Sequence, residues 1–162
     1  MESLARALSL RANKEYEQSS QVLQELAKRD PGDAIIRYHC AWSLDILGLE
    51  EEAVPHYEAA IGLGLPDEEA KGAYLGLGST YRTIGKYAQA KRTLEAGLEK
   101  FPGDRALVVF RAMAHYNLGQ HDLAMESLLK VIAETSNDRE VQSYARAIEF
   151  YSDKLDIVFT GK

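Results

Sequence analysis

Residues 71–104 read KGAYLGLGSTYRTIGKYAQAKRTLEAGLEKFPGD, and the spacing inside this stretch decides the fold. Tyr74, Leu77, Gly78 and Tyr81 recur at the three- and four-residue steps of one helix face, Gly85 interrupts, and Tyr87, Ala90 and Leu94 resume the period before Pro102 closes the unit. Glycine takes up a left-handed backbone at a helix end without steric penalty, and the residue before a proline is pushed out of helical geometry. The stretch therefore predicts one unit of helix, turn and helix. Gly78 and Ala90 are small enough to let the two helices approach, while Tyr81 and Leu94 fill the space beside them.

The figure repeats along the chain. The step from Gly85 to Gly119 is 34 and that from Gly48 to Gly85 is 37, while Pro31 and Pro102 lie 71 apart, two periods plus three. Setting Tyr87 at the seventeenth position of its unit gives repeats over about 1–33, 34–70, 71–104 and 105–138. The first lacks its opening residue. The spacing of Val141, Tyr144, Ala145, Ile148, Tyr151 and Leu155 predicts a single capping helix over about 139–157, covering the last apolar face. Residues 1–162 thus read as one repeat domain. Three irregularities stand out. The three extra residues fall in Gly62-Leu63-Gly64-Leu65-Pro66, which predicts a longer loop or an extended helix start. Pro55 lies about a turn into a second helix, and Arg111 stands where the third unit carries Leu77.

Composition excludes several function classes. With 46% apolar residues the chain can bury a continuous core if its units stack, and a net charge of −6 argues against nucleic acid as a partner. Residues 1–70 hold six Lys or Arg against 14 acids, and residues 71–162 hold 13 against 11. Solvated helix faces account for this imbalance; association end to end or steering of a basic partner is the sharper alternative. Met1-Glu2-Ser3-Leu4-Ala5-Arg6 does not read as a signal peptide, and no run is long enough to span a membrane. The single cysteine, Cys40, is expected as a buried core thiol, with the cytoplasm as the compartment.

Chemistry has little to stand on. The run Gly76 to Lys86 resembles a phosphate-binding loop, but Thr80 stands where that loop needs glycine and Tyr87 where it needs Ser or Thr. His39, His56, His115 and His121 show no ligand spacing and are expected at the surface or a groove edge. No cofactor and no metal site is expected, and the chain does not read as an enzyme.

The pattern Tyr74, Leu77-Gly78, Tyr81, Gly85, Tyr87, Ala90, Leu94, Pro102 is identified as that of the tetratricopeptide repeat family, over nearly the whole chain. The C-terminal third also resembles small bacterial four-repeat proteins that carry no assigned activity. The resemblance implies an all-α, right-handed solenoid of about nine helices, whose first helices line a concave groove for peptides or helices of partner proteins. Carried over position by position, it places Tyr38, Trp42 and Asp45 in the groove, followed by Leu75, Ser79 and Arg82 and then by Val109, Met113, Tyr116 and Asn117. It also assigns Leu4, Leu8, Arg11 and Ile35 at one end and Ser143, Phe150 and Tyr151 at the other. Leu4, Leu8, Trp42 and Leu75 displace most of the lysines and asparagines with which some members hold chaperone C-termini, so a carboxylate clamp is not expected there. Trp42 either faces the groove or packs on the neighbouring repeat. The apolar tail Leu155 to Thr160 is expected to fold back on the capping helix, the alternative being entry of Ile157, Val158 and Phe159 into a groove in cis or in trans. The implied function is non-catalytic protein binding. A chaperone-like holder of secreted or assembling subunits and a self-associating structural protein are the alternatives.

Overall fold

In a computed structural model, which describes residues 3–160, helices follow one another in antiparallel pairs: α1 (Leu4–Ala12) with α2 (Tyr16–Arg29), α3 (Ala34–Ile46) with α4 (Glu50–Leu63), α5 (Asp67–Thr83) with α6 (Tyr87–Lys100), and α7 (Arg105–Asn117) with α8 (His121–Thr135). The short helices α9 (Arg139–Ser143) and α10 (Ala145–Tyr151) close the series, and among the described residues there is no strand. Each pair also packs on the next, and the first helices α3, α5 and α7 touch directly. This is a tetratricopeptide-type helical solenoid.

The turn inside each pair explains the rhythm of the repeat. Gly48, Gly85 and Gly119 have φ of +72°, +78° and +75°. Around them the backbone closes the first helix with the same two bonds: Gly48 donates to Asp45 and Leu49 to Leu44, Gly85 to Arg82 and Lys86 to Tyr81, Gly119 to Tyr116 and Gln120 to His115. This is the Schellman arrangement, which satisfies carbonyls that a helix end would otherwise leave open. The first pair uses it too. Lys14, one repeat period before Gly48, has φ +66° and repeats both bonds, Lys14 to Arg11 and Glu15 to Leu10. A lysine there carries a left-handed strain of about 1 kcal/mol that glycine avoids.

The start of each pair is fixed differently. Asp33 and Asp104 accept from the Ile36 and Leu107 amides at 3.0 Å each, capping α3 and α7. At the irregular joint α4 runs on to Leu63, Gly64 turns at φ +90°, and Pro66 precedes an α5 of 17 residues, against 13 in α3 and α7. The extra residues therefore lengthen the start of α5, where Asp67, Glu68 and Glu69 favour the helix dipole.

The core runs through every pair. Ala7, Leu23, Cys40, Ala41, Leu44, Ala53, Tyr57, Ala90, Leu94 and Leu107 are fully or almost fully buried. Gly78 lets α5 and α6 approach closely inside the third pair: a Cβ there would lie 2.5 Å from Leu94 Cγ.

The described residues hold ten helices, in keeping with the about nine expected, and the capping segment is divided between α9 and α10 rather than forming one helix over 139–157. Tyr144 leaves helical geometry at φ −107°, ψ 7°, and α10 stops at Tyr151, where Ser152 donates both its amide and its hydroxyl to the Glu149 carbonyl. One histidine, His115, lies further inside than expected. His115 is buried, His39 and His56 are half-buried, and His121 alone is exposed. Cys40 is buried, and burial pushes its thiol up to about 11.

Candidate functional site

Three first helices and one second helix converge on a cleft of about 410 Å³, lined by Tyr38, Trp42, Asp45 and Ile46 from α3, Tyr57 from α4, Gly72, Leu75, Gly76 and Ser79 from α5, and Phe110 from α7. Its floor exists because α5 has no side chain at two points. Tyr38 lies against Gly72, and a Cβ on Gly76 would come within 2.5 Å of the Tyr57 ring. The glycines of this stretch therefore serve aromatic packing.

Below the cleft lies a buried polar knot. Tyr57, 2% exposed, donates its hydroxyl to Asp45 Oδ2 at 2.8 Å, and the Thr80 hydroxyl lies 2.9 Å from both Asp45 oxygens. Burial raises the Asp45 carboxyl above the usual carboxylate range, and the two hydroxyls pull it back. Burial, reinforced by Asp45, pushes the Tyr57 phenol strongly upward, so it stays a donor. The knot ties α3, α4 and α5 together and fixes the walls of the cleft.

The rim is cationic. The Arg11 guanidinium sits 4.1 Å from the Trp42 ring centroid and its Nη2 donates to His39 Nδ1 at 2.9 Å, leaving Nη1 buried without a partner. Trp42 is 43% exposed and lines the cleft, with Arg11 over its ring and the His39 ring stacked near it at 6.2 Å between centroids. His39 must accept on Nδ1, so its proton resides on Nε2. Burial first and Arg11 second push the ring down to about 4.

That shift has a sign. A base whose folded value lies below its ordinary 6.5 adds stability that is complete above pH 6.5 and lost as pH falls towards 4. Asp45, with its raised value, works in the opposite sense, favouring the fold at acid pH and losing that contribution as pH rises. His39→Gln keeps an acceptor for Arg11 but cannot charge. It is expected to flatten the loss of stability between about pH 6.5 and 4.5 by about 1 kcal/mol, allowing for the ring's remaining exposure. Fluorescence of Trp42, the only tryptophan, should follow His39 in the wild type and not in the variant.

Of the residues assigned to the groove from sequence, Tyr38, Trp42, Asp45, Leu75 and Ser79 come together in the cleft. Arg82 lies one turn beyond and donates to Asn117 Oδ1 at 3.4 Å, joining α5 to α7, with its Nε buried and unpartnered. Val109 is half-buried, while Met113 and Tyr116 are exposed on α7, Tyr116 beside His121 at 4.8 Å between ring centroids. These three do not line the cleft. Sequence reasoning missed Tyr57, Phe110 and the glycine floor; the run of Gly72, Gly76 and Thr80 on one side of α5 is the signal that could have found the floor. At the C-terminal end α10 rests on α8, and Phe159 folds back on Phe150 and Tyr151, with ring centroids 6.2 and 5.6 Å apart. Among the described residues no helix is long and apolar enough to cross a membrane, and no group of three His, Cys, Asp or Glu could hold a metal.

Comparison with known proteins bears on the architecture. No curated protein matches the chain. Solved structures of MamA from Desulfovibrio magneticus RS-1, one of residues 41 to the end and one an ArsTM double mutant, are each 18% identical with a TM-score of 0.73, over 94% of this chain and 84% of theirs. The C-terminal part of a tetratricopeptide repeat protein from Cytophaga hutchinsonii is 18% identical with a TM-score of 0.70, over 93% of this chain and 60% of that one. At such identity the likeness carries the fold alone. The family model described as tetratrico peptide repeat matches residues 34–155, the span holding three of the four left-handed turns inside helix pairs and the capping helices; with repeats, turns and packing in agreement, the chain belongs to the tetratricopeptide repeat family.

Proposed function

We propose that the chain is a non-catalytic binding module whose groove takes an extended or helical segment of a partner protein, with the cleft at Trp42 as its anchor point. The observation that carries this reading is the cleft itself, an apolar cavity with an exposed indole at its mouth and a rigid glycine floor. Buried aromatic anchors supply most of the binding energy where protein segments dock, and tryptophan is prominent among them. Arg11, over Trp42, and Arg82, one turn beyond Ser79, carry positive charge beside the cleft and favour a partner segment with acidic residues beside its apolar anchor. Val109, Met113, Tyr116 and Asn117 extend the surface along α7 for a longer segment.

Site-specific photocrosslinking tests the placement. A benzoylphenylalanine at Ser79, in the cleft, is expected to capture one discrete partner in the native cell. The same group at Glu95, on α6 and outside the cleft, is expected to capture none of it. Equal capture from both positions, or capture from Glu95 alone, contradicts the groove.

A further inference from the structure

A second cavity lies between α7 and α8 and shares no lining residue with the Trp42 cleft. Its volume is about 640 Å³. It lies where repeat four changes the filling. In the register of repeat three, Tyr74, Leu77 and Tyr81 occupy the face that Val108, Arg111 and His115 occupy here, and the smaller or polar side chains leave room. Val108, Leu123 and Val131 form its apolar wall.

The charges are sorted. At the rim Lys130 pairs with Glu126 at 2.6 Å and Arg105 with Glu134 at 3.2 Å, so both carboxylates of the cavity are engaged. His115 is held by Gln120, with Nδ1 2.7 Å from Oε1. Arg111 lines the same cavity at a position where Leu77 is buried in repeat three, its Nε is buried, and no hydrogen bond or ion pair reaches it among the described residues. A buried N–H without an acceptor is costly, and the two Nη groups of Arg111, which no carboxylate engages among the described residues, present paired donors suited to a carboxylate. The cavity is left with one uncompensated positive charge, and the two nearby glutamates disfavour a dianion.

We propose that the cavity between α7 and α8 is a second ligand site, which takes a carboxylate carried on a small apolar body, the carboxylate on Arg111 and the body against Val108, Leu123 and Val131. Two sources share this chemistry, a free short-chain acid and the C-terminal residue of a peptide.

The test uses the full chain and follows the Arg111 side-chain Nε–H resonance together with the backbone amides of Val108, Ser127 and Val131. Butyrate is titrated against butyramide, its neutral isostere, and against inorganic phosphate, each to about 50 mM, enough to detect millimolar affinity. Butyrate is expected to move the Arg111 signal and saturate, with butyramide and phosphate at least about tenfold weaker. Arg111→Leu, which restores the residue of repeat three, is expected to fold with an unchanged or higher thermal midpoint and to lose the butyrate response at the backbone amides. Arg111→Lys, which keeps the charge without the fork, should retain a weakened response. Tighter binding of Ala-Ala-Val-Leu with a free carboxylate than of butyrate assigns the site to a peptide end, and the reverse order to a free acid. No response to butyrate, an equal response to butyramide, or a response that survives in Arg111→Leu overturns the proposal.

Discussion

Leu94→Ala is expected to lower the stability of the chain by about 3 kcal/mol, read from denaturant unfolding, because it empties a fully buried site at a close helix contact of the third repeat. The neighbouring Gly78 makes the test specific. A Cβ on Gly78 would meet Leu94 Cγ at 2.5 Å and Cδ2 at 2.7 Å. Gly78→Val should therefore overpack the contact and cost about 2 to 3 kcal/mol, even though valine suits a helix better than glycine does. Combined as Gly78→Ala with Leu94→Ala, the added methyl enters the space the leucine vacates. The double variant should then be less destabilised than the two single changes together, by about 1 kcal/mol or more. Strict additivity would mean that α5 and α6 do not meet at this pair.

The second large effect lies under the cleft. Tyr57→Ala is expected to cost about 4 kcal/mol, since it removes a buried ring wedged between Asp45 and the bare backbone at Gly76. Tyr57→Phe isolates the polar part. It keeps the ring and removes the donor to Asp45, leaving Thr80 as the remaining hydroxyl there, and should cost about 1 to 2 kcal/mol. The gap between the two variants measures the wedge. If the phenylalanine variant lost as much as the alanine variant, the hydrogen bond rather than the ring would hold α3, α4 and α5 together.

The architecture was legible because its punctuation is chemical. Gly48, Gly85 and Gly119 stand where the backbone must turn left-handed, and the three residues inserted before Asp67 reappear as a longer α5. Lys14 escaped notice because lysine carries no turn signal; only its place one repeat period before Gly48 betrays it. The capping segment misled for the opposite reason. Its apolar spacing is helical throughout, yet local bonds at Tyr144 and Ser152 break it, and hydrophobic period is blind to such bonds.

The cleft was half legible. Tyr38, Trp42, Leu75 and Ser79 follow from their place on first helices, whereas Tyr57 comes from a second helix whose spacing marks it only as core. Phe110 enters from α7, next to a position assigned to the groove. Arg111 stood out in the sequence as a departure from leucine, but its meaning depends on which acids nearby are already paired, and that is set by packing between helices.

The proposed binding role requires Trp42 to act as an anchor rather than as a piece of core. The most direct measurement is the affinity of Trp42→Ala for the partner captured through Ser79, taken together with its unfolding curve. A loss of about 2 kcal/mol or more in binding, roughly thirtyfold, with cooperative unfolding retained, is the predicted result. Unchanged affinity, or a variant that no longer folds, would contradict it.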